Sequence, residues 1–121
     1  MQINIRKELT YGEKEKAMPA FARHFYVYIM TDEAHSLLFV GLTNNLFRDV
    51  HMHRGGEMEG LPEGVTMHKL VYLEYYPELS EGIWRRNEIF NDTLINQVSL
   101  ILQANPSWED LTPGLEQSMQ Y

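Results

Sequence analysis

FYVYIMTDEAHSLLFVGLT, residues 25–43, holds two dense β-prone runs separated by a polar hexapeptide. Aromatic and β-branched side chains fill Phe25–Thr31 and Leu37–Thr43, and residues of that kind favour a pleated, half-buried surface. The intervening TDEAHS predicts the loop of a β-hairpin. Its DEAH string carries no helicase meaning, because that motif works only with a phosphate-binding GK[ST] segment, and the chain has none.

Beyond the hairpin the pattern changes period. Thr43 or Asn44 is placed to cap a helix running to about Arg54, with Leu46, Val50 and His53 on one face. Gly55-Gly56 ends it, and the acidic, Gly- and Pro-containing stretch Glu57–Gly64 reads as a loop. HKLVYLEYY, residues 68–76, predicts a third strand, and Ser80, Ile83, Asn87 and Phe90 share the spacing of a second helix. Asp92 is placed to cap a third, in which Leu94, Ile95, Val98, Ile101 and Leu102 have the spacing of one buried face. The order ββαβαα predicts an α/β (α+β) fold, a three-stranded antiparallel sheet flanked by helices. Residues 1–23 mix charges without a sustained period and read as an appendage, with a short strand at Gln2–Arg6.

Composition narrows the classes of function. A chain of 121 residues with 44% hydrophobic and 22% charged residues supports one modest core. No cysteine is present, which excludes disulfides, thiolate metal sites and thiol nucleophiles and fits a reducing, cytoplasmic setting. No apolar run approaches the roughly 20 residues that cross a bilayer, so no membrane association is expected. The formal charge of −7 opposes non-specific binding to phosphate backbones, which depends on cationic side chains displacing counterions. Arg6, Lys7, Lys14, Lys16 and Arg23 precede the hairpin, and no cation follows Arg86, whereas Glu88, Asp92, Glu109, Asp110 and Glu116 do.

Phe25–Thr43 together with ANPSWEDL (residues 104–111) resembles the small single-domain branch of the GIY-YIG endonuclease family. That branch typically reads YVYIL, a turn, LYIGxTNDLxRRLxEH, HKLVYYE, an AxRE helix and ANPEWxDL, an order this chain follows from Phe25 to about Pro113. The resemblance implies the ββαβαα fold and a division into an N-terminal appendage (1–23), a GIY-YIG-like domain (24–113) and a C-terminal tail (114–121).

The resemblance also implies where chemistry would sit: a tyrosine in each half-motif, an arginine on the first helix, a histidine one turn on, and a metal-binding glutamate on the second helix. Phenols position water, guanidinium pairs bidentately with phosphate oxygens, and a hard divalent cation prefers carboxylate. Tyr28 matches the first tyrosine, but Phe39 stands at the second. Aligning TNNLFRDVHMH with TNDLxRRLxEH puts Arg48 beside the catalytic arginine position and Asp49 at it, with His53 at the terminal histidine. A gapless count back from ANPSW puts Arg86 where the glutamate would fall, and a slip of two residues would bring Glu88 there. Asp49 would repel phosphate and Arg86 would repel a metal. The exchange is reciprocal, so a salt bridge between Asp49 and Arg86 across the former cleft is expected.

Three functions follow. The first is a catalytically inactive GIY-YIG-like domain, a pseudoenzyme reused as a protein-binding or inhibitory module, with a nucleic-acid enzyme among the partners its acidic surface suits and with no cofactor. The alternative is a weak nuclease using Mg or Mn with Arg48, His53 and Glu88. The third is a nucleic-acid binder relying on the N-terminal cations with Arg48, Arg54, Lys69, Arg85 and Arg86, a use the overall charge disfavours. Tyr72, Tyr75, Tyr76, Trp84 and Trp108 read as core and interface residues, and exposed Tyr, Trp and Met fit a homodimer. His51 and His53 diverge on their helix and do not make a metal pair.

Overall fold

The computed structural model describes residues 24–118, so the strand expected at Gln2–Arg6 lies outside the described residues. The two β-prone runs form β1 (Phe25–Thr31) and β2 (Leu38–Thr43), and β3 (Lys69–Tyr76) pairs on the other side of β1. All pairing is antiparallel, in the order β2-β1-β3. Asp32 shapes the hairpin loop, since its carboxylate accepts from the backbone N–H of Ser36 at 2.7 Å and of Leu37 at 3.1 Å. His35 takes a φ of 56° in that loop.

Strand alternation divides the sheet into two faces. Phe25, Val27, Ile29, Val40 and Leu42 point to one face, and Tyr28, Met30 and Phe39 to the other. A bulge adjusts β3: Ile29 pairs with Tyr72 and Met30 with Leu70, leaving Val71 as the extra residue. Val71 and Tyr72 therefore join the same core cluster.

Helix α1 (Leu46–Gly55) covers the face of Tyr28 and Phe39. Its cap is Asn45, whose side chain accepts from Arg48 N at 3.2 Å, while Thr43 Oγ1 accepts from Asn45 N at 2.9 Å. The helix thus starts slightly later than the expected Thr43 or Asn44 cap, because Thr43 is still held as the last residue of β2. Gly56 closes it at φ 73°, a left-handed conformation that suits glycine.

Helices α2 (Leu79–Phe90) and α3 (Leu94–Ala104) lie on the opposite face. On α2 the buried stripe is Leu79, Gly82, Ile83, Arg86 and Ile89, so Ser80 is exposed and Asn87 and Phe90 are only half-buried. Thr93, not Asp92, caps α3 by accepting from Asn96 N at 3.1 Å; Asp92 instead accepts from the Thr93 N–H and the Asn96 amide. The apolar face expected on α3 is not a buried one. Ile101 is fully buried, but Leu94, Ile95 and Leu102 are 64%, 79% and 42% exposed.

The order ββαβαα is borne out, and a short helix α4 (Thr112–Ser118) follows it. This element order, with the sheet order β2-β1-β3, is the architecture that the motif order implied. The segment between α3 and α4 is pinned to β3. Asn105 Nδ2 donates to Val71 O at 3.1 Å and to Glu109 O at 2.8 Å, and its Oδ1 accepts from Glu109 N at 3.0 Å. Asp110 accepts from Leu70 N at 3.1 Å and from Arg54 Nη2 at 2.9 Å. Trp108, at φ 54°, packs against the α2-side core and stacks on His35 with centroids 4.3 Å apart. Among the described residues no helix is long and apolar enough to cross a membrane.

Candidate functional site

Three elements converge on one buried polar group. Tyr28 projects from the middle of β1 toward α1, and the four-residue step from Asp49 to His53 puts both side chains on the helix face that meets it. The Tyr28 hydroxyl lies 3.1 Å from Asp49 Oδ2 and 3.1 Å from His53 Nε2. Phe39 on β2 closes the site with its ring 4.5 Å from the His53 ring and 6.0 Å from that of Tyr28. Gly41 makes room for the phenol: a Cβ there would sit 2.4 Å from Tyr28 Cζ. Tyr28 and His53 are 0% exposed, and Phe39 and Asp49 are 1% and 7% exposed.

The direction of these bonds follows from what each group can offer. An ionised carboxylate only accepts, and a phenol has a single proton to donate. Tyr28 therefore donates to Asp49 and accepts from His53, whose imidazole carries its proton on Nε2. Arg48 completes the chain from the solvent side, donating from Nη2 to Asp49 Oδ1 at 3.1 Å. The remaining histidine nitrogen, Nδ1, is buried without a hydrogen-bond partner. Burial lowers the pKa of His53 from 6.5 to about 4, so the ring is neutral at pH 7. Burial, and next the Asp49 charge, push the Tyr28 phenol well above its ordinary 10.0, so it keeps its proton.

The structure thus brings together Tyr28, Phe39, Arg48, Asp49 and His53. It separates them from the other two candidates. Arg86 and Glu88 ride on α2, over the opposite face of the sheet. The expected bridge from Asp49 to Arg86 is therefore replaced: Asp49 pairs with its neighbour Arg48 and with Tyr28. Arg86 is buried, with its guanidinium carbon 5.2 Å from the centroid of the Phe90 ring. Glu88 is bound by Arg85.

These placements do not fit a divalent cation, which asks for several oxygen ligands converging on one point. Among the described residues no three His, Asp or Glu side chains are grouped so as to hold a metal ion.

A second polar knot was not foreseen. Arg85 on α2 makes a bidentate pair with Glu74 on β3, through Nε and Nη2 at 2.9 Å each. Tyr72 and Tyr76 also donate to Glu74. Burial and the Glu74 bond raise both phenols to about 12. Burial acts to raise the Glu74 carboxyl, but the bonds from Arg85 and the two phenols outweigh it and leave its pKa lowered. The i, i+2, i+4 spacing of Tyr72, Glu74 and Tyr76 on one strand was the available signal.

No protein-family model and no curated protein matches the sequence. Among solved structures the chain is similar to the solution NMR structure of the UPF0213 protein BH0048 from Bacillus halodurans. The TM-score is 0.48 and the identity 20%, over 74% of this chain and 94% of that one.

Proposed function

We propose that this chain is a GIY-YIG-like scaffold reused as a protein-binding or inhibitory module, its former cleft no longer a hydrolytic site. The observation that carries this reading is the Tyr28 hydroxyl, fully buried and committed on both sides to Asp49 and His53. A phenol that positions water for attack on a phosphodiester needs access to water and to substrate. Here Phe39 fills the neighbouring space, and Asp49 sets a negative charge where a phosphate would approach.

Charge points to the kind of partner. Among the described residues, Arg48, Arg54 and Arg85 are paired with Asp49, Asp110 and Glu74, and Arg86 is buried, which leaves little unpaired cationic surface there for nucleic acid. Exposed Glu57, Glu59 and Glu63 crowd the loop between α1 and β3. A basic protein surface, such as that of a nucleic-acid enzyme, is the complement of this acidic body.

Thermal melting with Mg²⁺ or Mn²⁺, run beside plasmid and single-stranded DNA cleavage, tests the reading. A ligand that binds only the fold raises its stability. The expected result is no metal-linked stabilisation and no cleavage, with capture of a basic partner that weakens as salt rises. Cleavage that disappears in both Arg48→Ala and Glu88→Gln would establish a metal-dependent nuclease instead.

A further inference from the structure

We infer that the exposed face of α3 joins two copies of this chain. At about 100° per residue, Ile101, Leu94, Val98, Leu102 and Ile95 fall within roughly 120° of the helix circumference. Only the Ile101 edge of this arc is fully buried, and Leu94, Ile95 and Leu102 face outward at 64%, 79% and 42% exposure. The apolar arc thus overhangs the body that the helix is seated on.

The charge pattern selects the occupant. LINQVSLILQA, the whole of α3, contains no charged residue, in a protein of net charge −7. A basic partner would gain nothing electrostatic from this face. Two copies of an acidic chain would repel through most surfaces, but here the helices meet without opposing charges. The stripe also matches itself. An antiparallel pair with its two-fold axis at Val98 sets Leu94 of one copy opposite Leu102 of the other, the isologous arrangement of a C₂ dimer. The contact is small, so the association is expected in the micromolar to millimolar range, about the low end of specific interfaces.

Sedimentation equilibrium of the full-length protein tests this between about 1 µM and 1 mM. A shift from 14.2 kDa toward twice that mass is expected. Added salt should strengthen the dimer by screening two acidic bodies, whereas binding of a basic partner is weakened by salt. Ile95→Glu should reduce association at least about tenfold without moving the melting temperature at dilutions where both proteins are monomeric. Leu94→Glu and Leu102→Lys should each be monomeric alone and associate when mixed. A protein monomeric throughout would overturn the inference, as would a dimer indifferent to Ile95→Glu. So would a drop in melting temperature for Ile95→Glu in a monomeric chain, since the face would then be covered from within.

Discussion

The Tyr28 hydroxyl donates to Asp49 Oδ2 at 3.1 Å across the β1–α1 contact, while His53 Nε2, also at 3.1 Å, donates to it. Removing the phenol oxygen strands a carboxylate oxygen and an imidazole N–H in a closed space. Tyr28→Phe should therefore cost about 1–3 kcal/mol, the penalty of leaving buried polar groups unmade. Asp49→Asn keeps an acceptor for Tyr28 and should be milder. Urea midpoints of the two variants decide the matter, and an Asn variant less stable than the Phe variant would show that charge, not acceptor geometry, holds the site.

Gly41 faces the Tyr28 ring so closely that even a methyl group has no room, with an added Cβ 2.4 Å from Cζ. The ring is fixed by its hydroxyl bonds and cannot swing aside without breaking them. Gly41→Ala should cost about 3 kcal/mol or more, at the upper end of overpacking penalties. Gly82→Ala, whose closest neighbour is the movable Leu42 Cδ1 at 2.8 Å, should cost less. Equal melting temperatures for the two variants would contradict this ranking.

The reciprocal charges at Asp49 and Arg86 invite a double reversal, but the two residues sit under helices on opposite faces of the sheet. Each single change, Asp49→Arg or Arg86→Glu, should be destabilising. Residues without shared partners add within about 0.5 kcal/mol, so the double variant should show no rescue beyond that. A double-mutant cycle with a favourable coupling above about 1 kcal/mol would restore the bridge that the geometry removes.

What was legible before folding follows from what a linear pattern encodes. The hairpin stood out because Phe25–Thr31 and Leu37–Thr43 are β-prone runs that flank polar residues, and the pairing Thr31↔Leu38 honours it. Tyr28, Asp49 and His53 were legible through the motif alignment, and strand alternation with a four-residue helical step is the reason the fold brings them together. Arg86 was assigned to the right helix and the wrong neighbourhood. Counting residues back from ANPSW fixes a position along α2 but not which face of the sheet α2 covers. The same blindness explains α3, where the apolar spacing announces a helix without saying which part of its arc meets the body. His35 and Trp108 stack from two distant loops, each with a positive φ, and no periodicity links them.

Asn105 anchors the segment after α3 with three hydrogen bonds, to Val71 O, Glu109 O and Glu109 N, and is only 6% exposed. Asn105→Ala leaves buried carbonyl and amide groups of two elements unmatched and should cost about 2–3 kcal/mol. Asn105→Asp keeps the acceptor for Glu109 N but loses both donors, and should recover little. Hydrogen exchange should show Glu109 N losing protection in the Ala variant and keeping part of it in the Asp variant, and equal protection in both would rule out the assigned side-chain orientation.

His53 makes the fold sensitive to acid in a defined window. In the unfolded chain its imidazole titrates near 6.5, and in the fold burial lowers this to about 4. Above pH 6.5 both states are neutral at this residue and stability does not depend on its titration. Between those values the unfolded chain takes up a proton that the folded one refuses, so stability falls by up to about 1.4 kcal/mol per pH unit. The accumulated loss is roughly 2 kcal/mol by pH 5 and levels off below pH 4. His53→Gln keeps a donor toward Tyr28 but has no titrating ring, so it should flatten this part of the profile while the exposed histidines His24, His51 and His68 remain in both proteins. Denaturant midpoints from pH 7.5 to 4.5 are the measurement, and parallel profiles for the two proteins would mean that His53 is not the group that acid finds first.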